Sequence, residues 1–139
     1  MAIAIRKMIS DDYLDAIQLW QSLPGLGLSS ADQQDAITRF LEKNPNTCFI
    51  ALDGEKVIGT VLGGNDGRRG YLYHLAVHLE YQRLGLGRQL SEACLAALKL
   101  EGLQKCHIFV ISSNFEGLRF WERLGWTLRH DILVLSKDL

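Results

Sequence analysis

Most features that would announce a function at first reading are missing from this chain. Neither sign of charge prevails: 15 lysines and arginines stand against 16 aspartates and glutamates, a formal net charge of −1. A nucleic-acid partner would call for a basic stripe, and the isolated Arg68-Arg69 pair does not make one. No apolar run reaches transmembrane length, so no helical membrane span is expected. Residues 1–9 carry Arg6 and Lys7, yet neither a long apolar core nor a small-residue cleavage site follows, and no secretory signal is expected. Cysteine is sparse and odd in number. Cys48, Cys94 and Cys106 are far apart among apolar neighbours, a pattern of reduced, buried thiols in a cytoplasmic protein rather than of disulfides or a metal cluster. Internal repeats, linkers and low-complexity segments are absent as well. Neither glycine cluster is followed by Lys-Ser/Thr, which excludes a Walker loop. A Gly-x-Gly-x-x-Gly fingerprint would need glycine where Leu90 stands.

What is present is an ordinary globular composition, 47% hydrophobic and 22% charged. The length suits one domain over residues 1–139, without metal or disulfide staples. Residues 2–7 read as a first strand, and Ser10 as the N-cap of a helix that gathers Tyr13, Ala16, Ile17 and Trp20 on one face. Pro24, Gly25 and Gly27 break the chain. The apolar connection over residues 23–29 suits either a substrate-facing flap or a tight bundle turn. Ser30 and Gln33 have capping-box spacing before a second helix with Ile37, Phe40 and Leu41. That helix must stop near Asn44-Pro45, because the residue before proline avoids the α region. Strand-like runs follow at 48–52, 56–62 and 71–78, the first two joined by an Asp53-Gly54 hairpin signal, and together they predict an antiparallel meander. A long helix then ends at Gly102, and a strand over 105–111 closes a βαβ crossover. Ser113 and Glu116 open a short helix that closes at Gly125, with last strands expected at 127–129 and 132–136.

The most informative residues precede the long helix. Gln82-Arg83-Leu84-Gly85-Leu86-Gly87 is a Gln-x-x-Gly-x-Gly turn between the run Tyr71-Leu72-Tyr73-His74-Leu75-Ala76-Val77 and a core-facing helix marked by Leu86, Leu90, Ala93, Cys94, Ala97 and Leu98. A helix N-terminus has unpaired N–H donors and the positive end of the peptide dipole. Two glycines let an anion approach the main chain with no Cβ in the way. The expected ligand is a phosphate group; a ligand-free strand-to-helix connection is the plainer alternative. Arg83 and Arg88 are placed to pair with phosphates, although Arg88 equally suits a solvated helix face.

Taken together, these residues resemble the GNAT family of N-acetyltransferases, in which this kind of loop holds the pyrophosphate of acetyl-CoA. The family's second signature, Asn-x-x-Ala-x-x-Phe-Tyr-x-x-x-Gly-Phe, is similar to Asn114, Gly117, Phe120, Trp121, Gly125 and Trp126 in the same register. The resemblance covers nearly the whole chain; before Cys48, where specificity usually resides, it holds only in general pattern. It implies an α/β (α+β) acyl-CoA N-acyltransferase fold, a mixed central sheet of about six to seven strands with a splayed parallel pair, flanked by about four helices. It also implies acetyl-CoA as co-substrate, no metal, and direct transfer to a primary amine of a small-molecule or peptide acceptor. By the same resemblance Gln82, Arg83, Leu84, Gly85, Leu86, Gly87 and Arg88 hold the pyrophosphate. Leu75, Ala76 and Val77 offer their main chain to the pantetheine arm, with one N–H polarising the thioester carbonyl, and Asn114 and Trp121 contact the cofactor. On the residues alone, Leu75, Ala76 and Val77 read as a buried strand, Asn114 as a cap and Trp121 as core filling. Trp121 is a departure, since the family often places there a Tyr that protonates the departing thiolate. An indole N–H donates a hydrogen bond but does not titrate near neutrality.

Positioning alone can supply on the order of 7–11 kcal/mol in such a transfer. An alkylammonium of pKa about 10.4 must still lose a proton first, so a base or a water relay is wanted. The family often takes this group from the central strand. Here that strand carries Tyr71 and Tyr73 on one face, and His74 on the other unless a bulge intervenes. Tyr71 and Tyr73 are the substrate-facing candidates, and Tyr73 and His74 the catalytic ones: His74 has the convenient intrinsic pKa, Tyr73 the better parity. None is a carboxylate. That lack, with Trp121, motivates a second reading as an acyl-CoA-binding regulatory module. The exposed edges of a small sheet leave a homodimer open.

Overall fold

A strand buried along nearly its whole length must be covered on both faces, and β3 (Lys56–Asn65), buried from Val57 to Gly64, is that strand. The structure, a computed structural model that describes residues 2–139, falls into two compact units, Met1–Phe109 and Val110–Leu139. In the first unit the sheet order is β1 (Ile3–Lys7), β2 (Phe49–Asp53), β3, β4 (Gly70–Val77) and β5 (Cys106–Ile108). The first four strands are antiparallel neighbours, and β2, β3 and β4 form the predicted meander. β4 and β5 are parallel, joined by α3 (Leu86–Leu100). Helices α1 (Tyr13–Ser22) and α2 (Gln34–Lys43) come between β1 and β2 in the chain.

Glycines let helices sit directly on β3. A Cβ on Gly63 would overlap Cys94 Sγ, and one on Gly59 would stand 2.8 Å from Leu90, one turn earlier on α3. On the other face Gly64 receives the Phe40 ring of α2 at 2.8 Å from where its Cβ would be. Trp20, Ile50, Ile58, Leu90 and Cys94 are wholly buried around this strand, and burying a large apolar side chain stabilises by about 1.5–3 kcal/mol. All three cysteines are free. Burial pushes the Cys48 and Cys106 thiols up to about 11, and Cys94 upward too. No helix among the described residues is long and apolar enough to cross a membrane.

Three boundaries differ from the sequence expectation, each for a local reason. Ser10 does not cap α1: Ser10–Asp12 form a single 3-10 turn and Asp12 is the cap residue. The Asp12 carboxylate is gripped by both Arg6 guanidinium N–H groups, at 2.8 and 2.9 Å, and by the Ile9 N–H at 2.9 Å. Burial alone would raise this carboxyl, but those bonds outweigh it and hold it below its ordinary value. The second capping box is one residue earlier than expected. Ser29 Oγ accepts the Ala31 N–H at 3.2 Å, and Ser29 N–H donates to Asp32 Oδ2 at 2.9 Å, ahead of a 3-10 turn at Ser30–Asp32. α2 then ends at Lys43, with Asn44 as its C-cap before Pro45. At the other end of the chain α4 (Phe115–Arg123) is capped by Asn114, not Ser113: Asn114 Oδ1 accepts the Gly117 N–H at 3.0 Å.

Among the described residues the sheet has five strands rather than six to seven. Of residues 105–111 only Cys106–Ile108 find a partner, and residues 127–129 and 132–136 form no strand among the described residues. A ladder needs a partner as well as strand-favouring composition. Between the two last runs, moreover, the Arg129 guanidinium clamps Asp131 at 3.0 and 2.8 Å across a bend at His130 and Asp131.

Candidate active site

After β4 the chain makes a 3-10 turn at Leu79–Tyr81 and enters residues 82–88. Polar contacts fix this route. The Tyr81 hydroxyl donates to Asp53 Oδ2 at 2.6 Å, and the Lys56 ammonium lies 5.5 Å from the Tyr81 ring centroid, tying the turn to the β2–β3 hairpin. Gln82 reaches back, its Nε2–H donating to the Val77 carbonyl at 3.0 Å. Arg83 (φ 65°) and Gly85 (φ 80°) are both left-handed. For Arg83 that is a strained conformation, costing on the order of 1–3 kcal/mol. Gly85 adopts it freely, with open space where a Cβ would stand.

Gln89 N–H is the first to close a helical bond, to the Gly85 carbonyl at 3.1 Å. The N–H groups of Leu86, Gly87 and Arg88 have no acceptor among the described residues. Leu86 is anchored at 3% exposure, so this first turn of α3 is held in place, while Leu84 is half-exposed beside it. The Arg88 guanidinium pairs with Glu92 at 3.2 Å on the exposed face of α3. Three free amides at a dipole's positive end, next to a glycine with no side chain, make a seat for an anion.

A second opening lies on β4. β5 accompanies β4 only as far as the Leu72↔Ile108 pair, whereas β3 stays paired with it through Gly59↔Val77. From Tyr73 to Val77 the edge of β4 away from β3 therefore has no β5 partner. Ala76 is buried and Leu75 and Val77 are half-buried, so what they present there is main chain.

β4 also carries one extra residue. Leu62 faces Tyr73 while Thr60 faces Ala76, and His74 takes φ 47°. The bulge brings His74 to the helix-α1 and -α2 side, alongside Tyr73 instead of opposite it. Tyr73 meets Phe40 edge-on at 6.1 Å and stacks on Tyr71 at 6.4 Å, with Phe109 6.2 Å from Tyr73. His74 packs on Trp20 of α1 at 4.7 Å. Burial pushes the Tyr73 phenol up, with Tyr71 and Cys106 adding to it, so this group keeps its proton and acts as a donor. His74 Nε2 and Asp32 Oδ1 share a hydrogen bond at 2.6 Å. The carboxylate missing from the strand thus arrives from the α1–α2 connection, and Leu23 and Leu26 of that connection pack on the core, anchoring it. Asp32 escapes sequence reasoning because only its spacing from Ser29 marks it, and that spacing signals a helix cap.

Two further candidates, Asn114 and Trp121, belong to the Val110–Leu139 unit. In the second unit Asn114 caps α4, and Trp121 packs edge-on against Phe120 and Trp126, each at 5.1 Å. His78 accepts the Glu80 N–H on Nδ1 at 3.1 Å, and His107 lies against Tyr71 at 5.8 Å. No group of His, Cys, Asp or Glu among the described residues is arranged to hold a metal ion.

Known proteins resemble this chain in sequence and in fold. The sequence model described as the Acetyltransferase (GNAT) family matches residues 11–126. An acetyltransferase of Sodalis glossinidius (strain morsitans) is 30% identical over 135 residues, covering 97% of this chain and 94% of that protein. Ard1 from Thermoplasma volcanium superposes with a TM-score of 0.82 at 19% identity, over 93% of this chain and 85% of that one. The PaiA N-acetyltransferase from Thermoplasma acidophilum, solved in complex with coenzyme A, gives 0.80 at 17% identity, over 93% and 92%. These two likenesses are of fold.

Proposed function

Because this chain belongs to the acetyltransferase (GNAT) family, we propose that it carries the acetyl group of acetyl-CoA directly to a primary amine of a small-molecule or peptide acceptor, acting as one domain over residues 1–139. The observation that supports this most is the coincidence of two openings: free amides at Leu86, Gly87 and Arg88, and the β4 edge from Tyr73 to Val77 that β5 leaves unpaired. They lie at the two ends of a segment braced by the bond from Gln82 to Val77.

In this reading the main chain of residues 82–88 cradles the pyrophosphate, with Gln82 bracing the loop and Arg83 and Arg88 adding positive charge. Leu75, Ala76 and Val77 offer backbone groups to the pantetheine arm, and an N–H beside the bulge stabilises charge developing on the thioester oxygen. Tyr71 and Tyr73 face the acceptor. His74 takes the ammonium proton, since the Tyr73 phenol is held in its protonated form. Asn114 and Trp121 are the proposed cofactor contacts of the Val110–Leu139 unit. Trp121 donates a hydrogen bond there and supplies no titrating proton.

Calorimetric titration with acetyl-CoA, followed by a free-thiol assay over a panel of polyamine, amino acid, aminoglycoside and lysine-peptide acceptors, tests the proposal. Saturable binding and sustained thiol release with at least one amine are expected. No binding would sink it. Tight binding with no turnover would instead favour an acyl-CoA-binding regulatory module, the reading that Trp121 in place of the family's Tyr supports.

A further inference from the structure

Asp32 is buried, at 7% exposure, and every polar atom it presents is engaged. Its Oδ2 accepts the Ser29 N–H at 2.9 Å, its carbonyl accepts the Tyr13 hydroxyl at 2.6 Å, and its Oδ1 accepts from His74 Nε2 at 2.6 Å. A carboxylate can only accept, so with Asp32 in that form the shared hydrogen belongs to Nε2, and a ring carrying that one hydrogen has its lone pair on Nδ1. Nδ1 has no partner among the described residues, and the His74 side chain keeps 14% exposure, so the ring is tethered at Nε2 and not wholly buried. The rest of His74 is fixed as firmly. Its left-handed φ of 47° holds the bulge, its ring lies against Trp20, and its carbonyl accepts the Thr60 hydroxyl at 2.9 Å. Thr60 Oγ1 in turn accepts the Trp20 indole N–H at 2.8 Å. Strain of this kind persists only where surrounding contacts determine it.

We propose that Asp32 is the positioning residue of the proton-transfer step: it locks His74 in the tautomer whose Nδ1 takes a proton from the acceptor ammonium, and it stabilises the imidazolium that results. The inference rests on the acetyltransferase reading. One ammonium proton passes to Nδ1, and the freed amine nitrogen forms its bond to the thioester carbon. The carbon–sulfur bond breaks with its electron pair on sulfur, the second amine proton ends on that sulfur as a thiol, and the imidazolium returns its proton to water. The titratable groups around the ring are Asp32 from the connection before α2, Tyr13 from α1 through the Asp32 carbonyl, and Tyr73 on β4 itself. β3 presents Thr60, which does not titrate.

The test is a nitrogen-15 long-range correlation spectrum of the histidines in the full chain, paired with pH–rate profiles on an amine that the panel identifies. Wild-type His74 should show a protonated Nε2 and a bare Nδ1 at pH 8. In Asp32→Asn the amide can donate to Nε2, so the tautomer should switch to Nδ1–H. The acid limb of kcat/KM should vanish and its plateau fall roughly 100-fold or more, with acetyl-CoA affinity by calorimetry unchanged. A bare Nε2 in the wild type overturns the proposal without any variant, which covers the case of a variant that does not fold. So does an Asp32→Asn enzyme with the wild-type profile. A wild-type chain that binds acetyl-CoA yet acetylates no amine overturns the acetyltransferase reading itself, and the base role with it.

Discussion

Gly85 is the position where backbone conformation and ligand charge can be perturbed separately. Its φ is +80° and nothing lies within 4 Å of where a Cβ would be, so a side chain there meets strain but no collision. Gly85→Ala should cost about 1–2 kcal/mol of stability, the left-handed penalty of an L-residue. That leaves a domain of ordinary stability folded. Gly85→Glu carries the same backbone penalty, so the Glu-minus-Ala difference isolates the carboxylate. Held about 4 Å from a phosphate, at an effective dielectric constant near 20, one negative charge opposes another by roughly 4 kcal/mol. The side chain is exposed and flexible, and salt screens it. About 2.7 kcal/mol should survive, a loss of about 100-fold in acetyl-CoA affinity relative to Gly85→Ala. Thermal melts should place the two variants together, and calorimetry at two salt concentrations should show the glutamate deficit shrinking as ionic strength rises. Equal affinity of two folded variants for acetyl-CoA would refute the anion seat at the start of α3.

Two further perturbations probe the scaffold that carries the site. Gly63→Ala drives a methyl against Cys94 Sγ and to 2.5 Å from the Thr47 carbonyl oxygen, an overpacking that should cost about 1–3 kcal/mol in denaturant titration. Adding Cys94→Ala should recover part of it, making the double variant more stable than the sum of the singles, and simple additivity would count against direct seating of α3 on β3. Asp12 is held below its ordinary value near 3.8 by Arg6 and Ile9 against the opposing effect of burial. Its contribution to stability is therefore full above that value and is lost as pH falls through the lower, folded one. Melts between pH 6 and about pH 2.5 should fall less steeply for Asp12→Asn than for the wild type, and parallel curves would contradict the Arg6 clamp.

What could be read in the sequence was whatever is written in consecutive residues. The Asp53-Gly54 hairpin, the stop before Pro45, the long helix from Leu86 and the glycine at its entrance all follow from local spacing, and each stands where that spacing puts it. The caps were displaced because two acceptors competed. Ser29 outranks Ser30 once Asp32 can return a bond to it, and Asn114 outranks Ser113 because Gly117 leaves room for its amide, which a Cβ there would meet at 2.6 Å. The last strands failed for another reason: whether a run becomes a strand depends on a partner elsewhere in the chain.

The bulge at His74 shows why the proposed catalytic face was the least legible part. A bulge is a mismatch in residue count between two strands, visible only when Leu62↔Tyr73 and Thr60↔Ala76 are set side by side. Without the extra residue, alternation would turn His74 away from Tyr73, toward the side where α3 sits. With it, His74 meets a carboxylate 42 positions away in sequence, on a connection whose own pattern speaks only of a helix cap. A single residue of register therefore decides whether this strand presents on that side two phenols alone, or two phenols and an oriented imidazole. The cost of that register is a left-handed histidine, and the bonds from Thr60 and Asp32 hold it there.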